Sequence, residues 1–202
     1  MTKLTSFTEF QPLALRTEAK IDSVKTSKRL LIALLVANVA TAEILDAIKK
    51  QVFYKNDKKL LEKTAEHTQQ LADMAQLIKD EFVEGELGPD SFNDEIEVNS
   101  RVFHALLGII TEAGELSDAL LNAVTGGGID AVNLQEEATG DMGWYRAILN
   151  DELGLDEYQG LTNVINKLRT RYPDKFTNEL AANRNLEAER KHLEVGVVGS
   201  DN

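Results

Sequence analysis

The chain has 202 residues, enough to bury a proper core as one domain or two small ones. Its net charge of −12 argues against a general nucleic-acid binder, because phosphate contacts need a basic surface. The absence of cysteine removes disulfides, thiolate metal sites and cysteine nucleophiles together, and 43% hydrophobic with 28% charged residues describes an ordinary soluble globular protein. The most apolar run, residues 30–37, falls far short of the ~20 residues that span a bilayer. With no secretory leader evident, the expectation is a cytoplasmic protein with no membrane partner.

Residues 1–27 are mixed, with Pro12 early and Asp22 and Ser23 as cap candidates. Apolar residues spaced at three, four and seven predict a helix over 28–53, a turn over 54–57 and a second helix over 59–82. Gly85, Gly88 and Pro89 mark a break between two halves. Asn99 or Ser100 caps the next helix, and residues 101–149 read as two helices joined by Gly126, Gly127 and Gly128. Those glycines turn the chain; no Gly-Lys-Ser/Thr follows to make a phosphate loop. Asp156 and Glu157 open a further helix that Pro173 halts after Arg171, since proline lacks the N–H and clashes with the preceding turn. A last helix is predicted from Thr177 to about Leu193, with 195–202 as a tail. No stretch alternates as a strand does, so the predicted fold is all-α. The predicted division is an N-terminal helical repeat (1–90), a second repeat with C-terminal helices (91–194) and the tail.

The central hairpin carries two acid pairs. Glu112 and Glu115 lie three apart on its first helix, Glu137 and Asp141 four apart on its second, so each pair projects from one helix face. Glu112 stands fifteen residues before Gly127 and Asp141 fourteen after it; Glu115 stands twelve before and Glu137 ten after. At ~1.5 Å rise per residue the opposing acids reach nearly the same height. Carboxylates meeting between packed helices repel one another, and a divalent cation relieves that repulsion; hard oxygen ligands suit Mg²⁺, or Mn²⁺ in its place. With 34 acidic residues, such pairs also arise by chance on solvated faces, but surface acids need no matched register.

The two halves resemble each other. Residues 29–48 (RLLIALLVANVATAEILDAI) laid on 101–120 (RVFHALLGIITEAGELSDAL) match at seven of twenty positions with a constant offset of 72. Ala40 then stands where Glu112 stands, so the first copy lacks half of the acid pair. Two helical hairpins packed into a four-helix core are expected, the second competent and the first degenerate. A single Glu-x-x-His occurs, Glu189 to His192, where a ferritin-like di-iron bundle carries two, which disfavours that bundle.

TEAGELSDA, GDMGWY and NKLRTRYPDKF, in that order, resemble the MazG-like all-α nucleotide pyrophosphohydrolases of bacteria and phages, a superfamily that includes dimeric dUTPases and phosphoribosyl-ATP pyrophosphatases. These motifs cover about residues 101–194, and FQPLALRTEA and ILDAIKKQVFYKND are also similar to family segments. The resemblance implies a helical bundle, assembled as a homodimer or higher homo-oligomer or from fused repeats. It also implies Mg²⁺-dependent hydrolysis of a nucleoside triphosphate to monophosphate and pyrophosphate, in the host's cytoplasm were the chain of phage origin.

Carried over by position, Glu112 and Glu115 match the family's first acid pair, and Asp141 matches the aspartate closing its Glu-x-x-Asp motif. The glutamate of that motif does not carry over, because position 138 is alanine. At ~100° per residue Glu137 lies ~40° around the helix from Asp141 and Glu136 ~140°, so Glu137 is the nearer substitute. The resemblance thus makes Glu112, Glu115, Glu137 and Asp141 the metal ligands and catalytic acids, with Glu112 or Glu115 as general base on the attacking water. Phosphoanhydride cleavage is mainly positioning and charge neutralisation, which acids holding divalent ions supply. Tyr145, Asn166, Lys167 and Arg171 are the substrate-binding candidates. Lys167, Arg169, Arg171 and Lys175 form one basic island, which also suits an ordinary cationic helix end. Trp144 and His104 are expected to pack in the core. The base and sugar preference, the phosphorus attacked, the number of metals and the oligomeric state stay open. A scaffold or nucleotide sensor without turnover is the alternative function.

Overall fold

The computed structural model describes residues 4–83, 86–87 and 92–196. Gly85, Gly88 and Pro89, expected to break the halves apart, and residues 197–202 of the expected tail lie outside the described residues. The described chain is all-α, with four strands of two or three residues. It divides into two compact units: Ser23–Glu97 forms the middle unit, and Met1–Asp22 with Val98–Asn202 forms the split unit. The expected boundary near residue 90 therefore misses one feature, since the N-terminal segment belongs with the second half of the chain.

The middle unit is a helical hairpin. Ser27 caps helix α2 (Lys28–Tyr54), its hydroxyl accepting from the Leu30 N–H at 3.1 Å. Helix α3 (Asp57–Glu81) returns alongside. Lys55 turns the corner in the left-handed region at φ 56°, and Asn56 accepts from the Lys59 N–H at 3.2 Å. Ala33, Ala40 and Ala47 are fully buried and seven residues apart, so small side chains line one face of α2 and let α3 approach closely. Strand β1 (Val24–Thr26) pairs antiparallel with β4 (Asp94–Ile96), Val24 opposite Ile96; β2 (Phe82–Val83) pairs with β3 (Glu86–Leu87). Paired charges cover the outside. Lys63 lies 3.2 Å from Glu43 and 2.9 Å from Glu66, while Lys49 and Lys50 bind Asp46 and hold its carboxyl down at about 2.

Helix α2 also differs from what its run at 30–37 suggested. By length and composition it would reach across a membrane, since only Glu43 and Asp46 interrupt its apolar stretch before Lys49. Only 17% of its most apolar window is buried. Its neighbour α3 carries Lys58, Glu62, Lys63, Glu66 and Asp73 along its length, charges that a bilayer interior would penalise.

In the split unit, helix α1 (Phe7–Leu15) docks on helix α6 (Met142–Leu153). Trp144 Nε1 donates to the Ala14 carbonyl at 3.0 Å and the Thr17 hydroxyl at 2.9 Å, and Gln11 donates to the Ala147 carbonyl at 3.2 Å. These bonds place the N-terminal segment with the second half. Helix α4 (Ser100–Val124) starts from an Asn99 cap and packs on α6. Arg101 fixes that start, reaching Glu18 at 2.7 Å, Asp151 at 2.8 Å and Glu152 at 2.7 Å. Helix α7 (Glu157–Arg171) begins at the Asp156 cap. The single last helix expected after Thr177 is two, α8 (Asn178–Ala182) and α9 (Leu186–Leu193), because Asn185 starts a new helix by capping Ala188.

Burial is lighter than the composition suggests. Among the described residues the buried apolar set is Ala14, Val24, Ala33, Ala40, Ala47, Ala105, Ala147 and Ile148, and Ile148 is the only large side chain fully enclosed.

Candidate metal centre

The segment after the glycine turn was expected to be one continuous helix and is three pieces. Gly126 takes φ 97°, and a Cβ at Gly127 would fall 2.1 Å from the Asn122 side chain, which itself donates to the Gly128 carbonyl at 2.7 Å. Asp130 then caps a short helix α5 (Ala131–Gln135), accepting from the Val132 N–H at 2.9 Å. A π-helical turn follows (Glu136–Asp141), in which the Met142 N–H reaches back five residues to the Glu137 carbonyl, and α6 continues from it. A π turn holds one residue more than an α turn, and such turns gather at functional sites. Here the extra residue falls where Ala138 breaks the Glu-x-x-Asp spacing. Glu137 and Asp141, four apart, stay on one side of the helix through this turn, as they would on an ordinary α-helix.

Glu112 of α4 meets Glu137 and Asp141 across this turn. One carboxylate oxygen from each lies within 4.8 Å of the other two, with Glu112 and Glu137 half-buried and Asp141 exposed. A hydrogen bond between Glu137 and Glu112 raises the Glu137 carboxyl above its ordinary range; its partial desolvation and the negative charges of Glu112 and Asp141 act in the same direction. Among the described residues none of the three is paired with a lysine or arginine. Three oxygen donors without a cationic neighbour form a set suited to a hard divalent ion.

Glu115, the fourth expected ligand, stands apart from this trio. It lines a small cavity of about 190 Å³ with Asp118, Asn122, Asp130, Asn133 and Glu137. Glu137 is thus common to the trio and to the cavity. Tyr145 packs its ring onto Gly108, where a Cβ would come within 2.1 Å of it, so only glycine lets α4 and α6 meet there. Burial, and then the charges of Glu112 and Asp141, push the Tyr145 phenol upward. His104 sets its ring edgewise against Trp144 at 5.5 Å and Tyr145 at 5.6 Å, packing rather than ligating.

The α7 candidates do not join the acids. Asn166 and Lys167 are half-buried on α7, in neither the trio nor the cavity beside it. Arg171, expected as a substrate ligand, makes an internal ion pair. It donates from two nitrogens to Glu189 of α9, which is 3% exposed and also takes Arg184 at 2.7 Å. The two guanidinium groups hold the Glu189 carboxyl at about 2. A buried carboxylate needs such partners, and nothing in the local sequence marked Glu189 as buried. No family model, no curated protein and no solved structure matches the chain.

Proposed function

We propose that the chain is a metal-dependent nucleoside triphosphate pyrophosphohydrolase on a MazG-like helical bundle. The observation supporting this most directly is the convergence of Glu112, Glu137 and Asp141, with no cationic partner among the described residues. The ordered resemblance of TEAGELSDA, GDMGWY and NKLRTRYPDKF supplies the reaction class. In this reading the trio holds Mg²⁺, which when bound neutralises phosphate charge and polarises the bond to be cleaved. Glu115, across the adjoining cavity and outside the trio, accepts a proton from the attacking water. Tyr145, packed beside Glu112 and Asp141, borders the phosphates, whereas a nucleotide role for Lys167 and Asn166 rests on the resemblance alone. Arg171 keeps α9 in place instead.

The test is incubation with a panel of (d)NTPs and Mg²⁺, with monophosphate and pyrophosphate expected as products. Release of inorganic phosphate alone, or no product from any nucleotide, would sink the assignment. One observation favours a second reading, a nucleotide sensor or scaffold without turnover: Glu115 lies outside the trio, leaving three ligands where four were expected. Calorimetric titration with Mn²⁺ separates the readings further, since a plain scaffold takes up no stoichiometric metal, whereas a sensor binds metal and nucleotide and releases no product.

A further inference from the structure

Within the split unit, Arg146 of α6 carries a charge that its neighbours do not complete. A guanidinium offers five N–H donors in a planar fork. Among the described residues none of those of Arg146 makes a hydrogen bond, and its Nε is shut off from solvent. A buried N–H without a partner is costly, and native structures keep few of them. The acid facing it is Glu157 of α7, whose Oε1 stands 3.5 Å from that Nε. Buried Asn150 holds Glu157 in place by donating to its other oxygen, Oε2, at 2.8 Å. Oε1 receives no hydrogen bond from a described residue.

The pair stands where two cavities meet. Arg146 and Glu157 line both a cleft of about 620 Å³ toward α1 and the π turn and a pocket of about 410 Å³ toward α9. Phe7 and Phe10 of α1 and Tyr158 of α7 wall the cleft. These walls are tied together, since the Phe7 N–H donates to the Tyr158 hydroxyl at 3.3 Å and the two phenyl rings lie 5.5 Å apart. The π turn and α6 contribute Thr139 and Gly143, each two residues beyond Glu137 and Asp141 and so on roughly the opposite side of the helix. The cleft is therefore distinct from the acid trio, and all of its lining belongs to the split unit.

We propose that this cleft binds a free α-amino acid with an aromatic or large apolar side chain. The guanidinium takes the carboxylate through paired N–H donors, Oε1 of Glu157 takes the ammonium, and the side chain lies against the rings of Phe10 and Tyr158. Charge decides between ligand classes. A phosphate or a dicarboxylate sets surplus negative charge against Glu157 in a chain that already carries −12, and a simple amine sets positive charge against Arg146. A zwitterion answers both groups. Its two charges are separated by only two carbon atoms, which matches a protein pair 3.5 Å apart. The proposal is independent of the metal reading and of the reaction proposed above.

Calorimetry on the full chain with L-phenylalanine as the probe should show one site of about millimolar affinity, the range open to a ligand of that size. Phenylalaninamide lacks the carboxylate and 3-phenylpropionate lacks the ammonium, so each should bind about tenfold more weakly. Arg146→Gln should weaken L-phenylalanine by about tenfold with circular dichroism unchanged. Glu157→Gln keeps an acceptor for Asn150 and should erase the preference for L-phenylalanine over 3-phenylpropionate, which keeps the test decisive should Arg146→Gln fail to fold. Absence of L-phenylalanine binding at tens of millimolar overturns the proposal. Equal binding of the three probes to the parent chain also overturns it, as does full affinity in a folded Arg146→Gln variant.

Discussion

Helices α2 and α4 carry the same residue at seven of twenty aligned positions, and they part where each meets its neighbour. In the middle unit position 40 is a fully buried alanine, and α3 closes against it. In the split unit the equivalent position is Glu112, half-buried, and the chain opposite carries two more acids on a π turn. The remaining shared acids diverge as well. Asp46 is held by Lys49 and Lys50, and Glu43 by Lys63, whereas Asp118 and Glu115 line an acidic cavity. The same helical pattern therefore serves close packing when small residues and lysines complete it. Where an acid replaces the alanine, three carboxylates gather instead, and it is there that we propose a cation site.

The comparison can be broken most sharply at the acids. Glu112→Ala should lower (d)NTP turnover by on the order of a thousandfold, as loss of a principal charge-stabilising group does, with helicity unchanged. Asp141→Asn should behave alike, and full activity in either variant would remove the catalytic reading. The reverse change, Ala40→Glu, forces a carboxylate into a site with no space and no cationic partner. It should cost the middle unit about 3 kcal/mol in urea denaturation, a loss typical of an uncompensated buried charge. A neutral effect there would show that α3 does not close on that position.

A smaller effect separates Asp46 from Asp118. Because its folded carboxyl is held at about 2, below the ordinary 3.8, Asp46 contributes stability that is fully present above about pH 4 and lost as pH falls through 2. The site is partly exposed, so Asp46→Asn should cost only about 0.5 kcal/mol at neutral pH and nothing below pH 2, read from denaturation midpoints across pH. Asp118→Asn should cost less than Asp46→Asn at neutral pH, because among the described residues no lysine or arginine is paired with Asp118. The smallest effect concerns the π turn. Deleting Ala138 leaves Glu137 three residues before Asp141 on an ordinary α-helix, where the two still share a face. Mn²⁺ affinity by calorimetry should stay within a few-fold of the parent. A loss of binding would mean that the wider turn itself shapes the site.

The helices were legible because periodicity and caps are local. Asn99, Asp156 and Thr177 each cap the helix they were expected to open, and α2 and α3 lie within two residues of their predicted limits. Helix α1 was not legible, since its apolar face is short and its anchor is the indole of Trp144, more than a hundred residues away. The π turn was equally hidden. Counting at 100° per residue assumes an unbroken α-helix and gives no sign of six residues wound differently, although Glu137 and Asp141 share a face either way. The ion pair of Arg171 was hidden for a related reason: a cationic helix end and a buried ion pair look the same until Glu189 is seen to reach it.

By itself the sequence determined the all-α class, the helix limits set by caps and proline, the repeat at an offset of 72, and the acids available to meet across the glycine turn. Those follow from interactions within a few residues, or from counting along a regular rise. Only the tertiary structure decided that three acids converge while Glu115 turns to a side cavity, that residues 1–22 belong with the second half, and that Arg171 is taken by Glu189. Each of these depends on the rotation of one element against another, and a single extra residue in one turn is enough to change it.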